Sequence, residues 1–297
     1  MPPAYPSRAR GANFMVERRA SPVIRRMQAP PRVAFAGSFV RASRALDERT
    51  IHHLLAWAMI ATGVITALAL KFISAPYGRY SRGGWGPSIP SRVGWIVMEA
   101  PASLAVLGVF LTGRHRAETA PLVLLALWQL HYVHRAFIYP FRMRAAGKTM
   151  PASVAAMAVL FNSWNAYINA RWIGHLGDYP TSWLVTPQFL IGAALFLTGF
   201  TINLWADTVL LHLRKPGETG YKIPQGGLYD LIACPNYFGE ILEWTGWAVA
   251  SWSLSGAAFA VYTAANVGPR AFTHLAWYRQ KFPDYPKDRK ALIPYLW

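Results

Sequence analysis

Glu99 stands alone in an apolar stretch that contains Trp95-Ile-Val-Met-Glu-Ala-Pro, with no other charge from Val93 to Leu111. A carboxyl taken out of water favours its neutral form, and a neutral carboxylic acid can donate a hydrogen bond. Tyr132 lies in His131-Tyr-Val-His-Arg, a polar break in a second apolar stretch. A phenol and a protonated carboxyl aimed at one carbonyl oxygen would stabilise the enolate formed when hydride adds to the β-carbon of a conjugated ketone. The plainer alternative for Glu99 is an ion pair with a buried cation such as Arg135. His131 and His134 invite a metal reading, but neither has a carboxylate at ligand spacing, so no metal site is expected. Neither a Gly-x-Ser-x-Gly elbow nor a zincin motif occurs, which leaves hydrolase chemistry without support.

Polar side chains recur at helical spacing in three further apolar stretches. Asn203 and Asp207 are spaced i, i+4, as are Asn236 and Glu240, and Arg270, His274 and Tyr278 are spaced i, i+4, i+8. Each set shares one helix face. Such groups inside a membrane normally face the bundle interior or a water-filled cavity. One pair alone could be a structural hydrogen bond between helices, but three sets together point to a polar ligand pocket. The connecting segment Arg214-Lys-Pro-Gly-Glu-Thr-Gly-Tyr-Lys-Ile-Pro-Gln-Gly-Gly puts glycine turns and basic side chains at a helix mouth, which suits phosphate. It carries neither a Walker lysine motif nor a strand-borne dinucleotide fingerprint. Gly83-Gly84 with Arg79 and Arg82 is a weaker loop of the same kind, equally readable as a flexible surface turn.

Seven apolar stretches must position these groups, at about 51–73, 93–111, 120–141, 152–173, 189–213, 228–254 and 257–278. The expected fold is therefore all-α, a polytopic seven-helix membrane bundle. Composition agrees, because 54% of the 297 residues are hydrophobic and only 14% are charged, where a soluble domain carries about 25% charged. The net charge of +17 would suggest nucleic acid in a soluble protein. Here the basic residues sit in a tail and in short connections, which fits topology, anionic headgroups and a phosphate-bearing ligand. Basic connections 1–2, 3–4 and 5–6 and a basic C-terminus place that terminus in the cytoplasm, although the connection with Arg114 and Arg116 and the N-terminal tail disagree. Residues 1–47 read as a disordered Arg- and Pro-rich tail, or as sequence upstream of a true start at Met15 or Met27. Residues 48–297 read as one membrane domain. The lone Cys234 excludes an intramolecular disulfide.

Several motifs resemble the steroid 5α-reductase family. They are Tyr221-Lys-Ile-Pro-Gln-Gly-Gly-Leu, Asn236-Tyr-Phe-Gly-Glu-Ile-Leu-Glu-Trp, Asp284-Tyr-Pro-Lys-Asp-Arg-Lys-Ala-Leu-Ile-Pro, Arg214-Lys-Pro-Gly-Glu, His131-Tyr-Val-His-Arg-Ala-Phe-Ile-Tyr and Trp95…Glu99-Ala-Pro. The likeness covers roughly residues 75–297, and the chain reads as a bacterial member. The resemblance implies NADPH held from the cytosolic side and hydride delivered to C5 of a 3-oxo-Δ4-steroid. It makes Glu99 and Tyr132 the donors to the 3-keto oxygen and sets Trp95 beside steroid and nicotinamide. It implies cofactor contacts at Asn203, Asp207, Arg214, Tyr221, Asn236, Glu240, Arg270, His274 and Tyr278, and, by a looser match, Arg135, Tyr139 and Arg79. Met98 stands beside the substrate where the vertebrate enzymes carry Gln, which removes an amide near the site. After Tyr139 the segment 140–148 diverges, and Lys148 has no assigned role. The implied partners are an apolar steroid-like substrate and membrane lipid, with neither metal nor nucleic acid, acting as a monomer in a bacterial-type inner membrane or its equivalent. Competing readings are an enoyl-CoA or polyprenol reductase, an isoprenylcysteine-type membrane methyltransferase and a non-catalytic sterol-binding protein. Glu99 together with Tyr132 separates a reductase from the last two, neither of which needs an enolate-stabilising pair.

Overall fold

A computed structural model describes residues 46–297 apart from Tyr77, Ser81, Ala146, Pro216 and Trp297, so all but the last two residues of the basic tail lie outside the described residues. The chain is mostly helical. Helix α1 spans Glu48–Ala69, and Asp47 caps it by accepting a 2.8 Å hydrogen bond from the Thr50 N–H. Glu48 in the first turn complements the helix dipole. Helix α2 spans Ser91–Leu111 and contains Pro101.

Helix α3, Thr119–Val133, runs without a break through a π turn at His134–Ile138 into α4, Tyr139–Arg142. Pro140 explains the wider turn. A proline ring crowds the carbonyl four residues back, and its missing N–H leaves the ladder short of a donor. The Tyr139 N–H instead reaches back five residues to the His134 carbonyl. This local unwinding rotates the face that Arg135 and Tyr139 present. Helix α5, Ala152–Arg171, likewise ends in a π turn at Trp172–Leu176. Helices α6 (Pro187–His212), α7 (Pro235–Ser251) and α8 (Leu254–Lys281) follow. Of these helices, α1, α2 and α6 are long and apolar enough to cross a membrane.

The sixth apolar stretch was expected from Leu228, but α7 begins only at Pro235. Gly226 and Gly227 hold positive φ, 92° and 55°, and start a short 3-10 turn. Residues 231–234 are then taken up by the returning C-terminal segment. Lys290 N–H donates to Leu231 O at 2.9 Å and Ala233 N–H to Lys290 O at 2.8 Å. Backbone groups committed to that pairing cannot join a helical ladder.

Helices α6 and α7 meet backbone to backbone. A Cβ on Gly239 would lie 2.6 Å from the Asn203 nitrogen, and one on Gly192, Gly199 or Gly246 would strike the opposing main chain at Ala250, Glu243 or Phe196. The four glycines repeat every seven residues on each helix, which sustains one small-residue seam. Behind it Trp128, Trp244, Trp247, Phe196 and Phe259 form an aromatic core. Two of its indoles donate hydrogen bonds, Trp128 to the Ala102 carbonyl at 2.7 Å and Trp247 to Asn169 Oδ1 at 2.9 Å. A small antiparallel pair, β1 (Ser88–Pro90) with β2 (Thr149–Pro151), ties the segment before α2 to the one before α5.

Candidate active site

The close approach of α6 and α7 brings the first polar stripes together. Asn236 Nδ2 donates to Asp207 Oδ1 at 3.1 Å, and Asn203 Nδ2 donates to the Asn236 carbonyl at 3.0 Å. Asp207 accepts on its other oxygen from Arg135 Nη1 at 2.9 Å. Arg135 therefore pairs with Asp207 and not with Glu99. Its guanidinium lies over both the Trp95 and Tyr139 rings, 4.9 and 4.8 Å from their centroids. These bonds join the helices, and of the four residues Asn236 is the one among the described residues lining the adjoining cavity.

That cavity encloses about 730 Å³. Its walls include Trp95 and Tyr139 at the floor, then Asn236, His274 and Tyr278, and Arg79, Arg144, Lys148, Arg214 and Arg270. No acidic side chain is among the described residues lining it. The stripe on α8 faces it throughout, because Arg270, His274 and Tyr278 all line it. Tyr221 also lines it and is partly exposed.

His274 is held at both ring nitrogens, by the Tyr80 hydroxyl at 3.2 Å on Nδ1 and the Tyr237 hydroxyl at 3.1 Å on Nε2. Tyr80 donates its single hydroxyl hydrogen to the Thr273 carbonyl at 3.2 Å. His274 Nδ1 must then carry hydrogen and Nε2 accept from Tyr237. Arg79 lies among three rings, 5.2 Å from Tyr221, 4.4 Å from Trp277 and 5.1 Å from Tyr278. Its Nη1 is buried and makes no hydrogen bond among the described residues. Arg214 Nη1 donates to the Gly220 carbonyl at 2.9 Å, shaping its own connection. Burial, with Arg214 and Arg144 nearby, pushes the Lys148 ammonium below the ordinary lysine range. Like charges gathered on one wall suit an anion.

Glu99 and Tyr132 do not line this cavity. Glu99 lies one helical turn beyond Trp95 on α2, half-buried, and accepts from Asn162 Nδ2 at 3.4 Å. The Tyr132 ring packs on Trp128 and Trp244, 5.0 and 5.5 Å between centroids. Its hydroxyl makes no hydrogen bond among the described residues. Glu240 sits on α7 in electrostatic reach of Arg135 and His131. Met98 is buried against Met150 and Ala155.

Sequence reasoning passed over Tyr80, Tyr237 and Arg144 at the cavity and Asn162 beside Glu99. Arg144 had a signal, its place in a basic run, but that run served only the topology argument. Tyr80 and Tyr237 had none, since a tyrosine beside an arginine or an asparagine is unremarkable until the fold sets both against His274.

A family model described as 3-oxo-5-alpha-steroid 4-dehydrogenase matches residues 148–297. A steroid 5-alpha-reductase of Gossypium hirsutum is 43% identical over 256 residues, covering 84% of this chain and 99% of the relative. The 3-oxo-5-alpha-steroid 4-dehydrogenase 1 of Bos taurus is 43% identical over 84% of this chain and 99% of its own length. The protein of that name from Homo sapiens is 43% identical over 86% and 98%.

Proposed function

The chain belongs to the 3-oxo-5-alpha-steroid 4-dehydrogenase family, and from that premise we propose that it reduces the Δ4 double bond of 3-oxo-steroids with NADPH, giving 5α products. It is an oxidoreductase acting on a CH–CH bond. One observation carries the reading. One cavity joins a basic mouth, with no acid among its described lining residues, to Trp95, and Glu99 follows one turn further along the same helix face.

The residues suit a dinucleotide phosphate. Arg79, Arg144, Lys148, Arg214 and Arg270 offer charge-assisted donors for phosphate oxygens, and the buried Arg79 Nη1 has no acceptor among the described residues. The Arg135–Asp207–Asn236 group and Tyr139 would hold the nicotinamide end near Trp95. When bound, the cofactor supplies hydride. Glu99 in its protonated form and Tyr132 would donate to the 3-keto oxygen, where negative charge develops as the β-carbon accepts that hydride. Donors fixed in advance in a dry site stabilise such charge far better than water does. The packing of Tyr132 against both Trp128 and Trp244 supplies the fixing.

The setting is a seven-span bundle with the C-terminus cytoplasmic. Beyond α1, α2 and α6, the outer faces of the other helices carry exposed Leu130, Phe141, Leu160, Val261 and Phe272, as lipid contact requires. The basic connections with Arg79, Arg144 and Arg214 share the cavity mouth, which fits one cytoplasmic side.

The test is a product assay with purified protein, NADPH and progesterone or testosterone, run beside enoyl-CoA substrates. The 5α-reduced steroid is expected. Glu99→Gln and Tyr132→Phe should each lose most turnover while binding NADPH normally. Full activity in both variants would refute the assignment.

A further inference from the structure

Met98 stands where an amide was expected beside the catalytic carboxyl, yet an amide is present. It comes from α5. Asn162 is 7% exposed, and its Nδ2 lies 2.6 Å from the Met98 carbonyl and 3.4 Å from Glu99 Oε2. We infer that Asn162 is a positioning residue for Glu99, fixing which carboxyl oxygen carries the proton that faces the substrate ketone.

The argument runs through donor and acceptor roles. A backbone carbonyl can only accept, so the 2.6 Å contact with Met98 sets the amide with its nitrogen toward α2. The second hydrogen on that nitrogen then points at Glu99 Oε2. In the protonated form that the proposed function gives Glu99, the oxygen that accepts there is the carbonyl oxygen, which leaves the hydroxyl hydrogen on Oε1. Glu99 is thereby held as a donor from one defined oxygen, the form that a developing enolate needs. The other charged neighbours do not replace this contact. Arg135 is bonded to Asp207 at 2.9 Å and His131 Nδ1 to Glu243 Oε1 at 2.8 Å.

The fold gives a reason for such support. Pro101, two residues after Glu99, lacks an N–H and loosens this part of α2. Side chains from neighbouring helices bond the α2 carbonyls around it. Asn162 takes Met98 O, Trp128 takes Ala102 O at 2.7 Å and Gln129 takes Ser103 O at 2.9 Å. Of the three, only Asn162 also reaches a carboxyl.

This assignment rests on the reading of Glu99 as donor to the ketone, and the test separates the two. Asn162→Leu keeps the side chain near its native size and removes the amide. In lipid nanodiscs with a Δ4-3-oxo-steroid and NADPH, kcat should fall roughly tenfold, as for one lost hydrogen bond in the transition state. NADPH affinity should stay unchanged, since Asn162 lies outside the cofactor cavity. Added to Glu99→Gln, the same substitution should lower the residual rate less than twofold, because its route of action is already gone. An unchanged kcat in Asn162→Leu, or an equal fall in both backgrounds, overturns the inference; the second result means that Asn162 serves only helix packing. Full activity of Glu99→Gln alone removes the reading of Glu99 and this inference with it.

Discussion

Replacing Arg79 by alanine tests the cofactor cavity most directly, because the structure separates what the side chain does before binding from what it would do after. Its stacking on Tyr221, Trp277 and Tyr278 exists in the ligand-free protein. Those contacts support the fold, each by about 0.5–1 kcal/mol at a partly exposed site. They largely cancel from the binding free energy. What binding adds is an acceptor for the buried Nη1, which has none among the described residues. A hydrogen bond between charged partners contributes about 1.5–3 kcal/mol, so Arg79→Ala should weaken NADPH by roughly 10- to 150-fold. Arg79→Lys should fall between, since it keeps the charge and loses the planar fork. Quenching of tryptophan fluorescence on NADPH titration gives the affinities, and Trp277 beside Arg79 is a local reporter. Affinity within twofold of the parent in Arg79→Ala, with the protein still folded, would show that no phosphate oxygen reaches Nη1.

Arg214→Ala should also weaken NADPH, by about tenfold or more, because it removes a cation from the mouth and the bond to Gly220 that shapes the connection; calorimetry or the same titration measures it. Arg135→Met should destabilise by about 3–5 kcal/mol, by leaving Asp207 buried with only Asn236 as partner, and thermal unfolding in detergent would show it. Gly239→Ala forces a methyl to 2.6 Å from Asn203 N, so a loss of about 1–3 kcal/mol is expected in the same assay. Trp247→Phe strips the indole from Asn169 and should cost about 1–3 kcal/mol with NADPH affinity unchanged.

Much of the site was legible because polar groups in an apolar chain are rare and periodic. Arg270, His274 and Tyr278 share a face by spacing alone, and the cavity confirms that they share a wall. Spacing could not say that Asp207 rather than Glu99 takes Arg135, because a partner across two helices depends on their rotation, and a π turn sets that rotation at His134–Ile138. The start of α7 was lost for another reason. Residues 228–234 are apolar enough to read as helix, but their backbone is claimed by a segment almost sixty residues later. The heptad of Gly192, Gly199, Gly239 and Gly246 was on the page, yet glycine in an apolar stretch reads as neutral until two helices are seen in contact.

The charges fall into two kinds by depth. Toward the floor Arg135 pairs with Asp207 and His131 with Glu243, and Glu99 has an amide. Toward the connections the cations Arg79, Arg144, Lys148 and Arg214 share a cavity with no acid on its described walls. Desolvation explains the difference. An ion in the apolar interior without a partner is too costly to keep, so the floor must be satisfied before any ligand arrives. The mouth can meet water, and its like charges repel one another there only through a screened field. A ligand bearing several phosphates supplies at the mouth the counter-charge that the protein withholds, while the paired floor gains little from charge and is left to set orientation. In the proposed function, affinity is drawn from the cavity mouth and chemistry from Glu99 and Tyr132, which lie beyond its lining. This arrangement lets substitutions at Glu99, Tyr132 or Asn162 change turnover without moving NADPH affinity, and lets substitutions at Arg79 or Arg214 do the reverse.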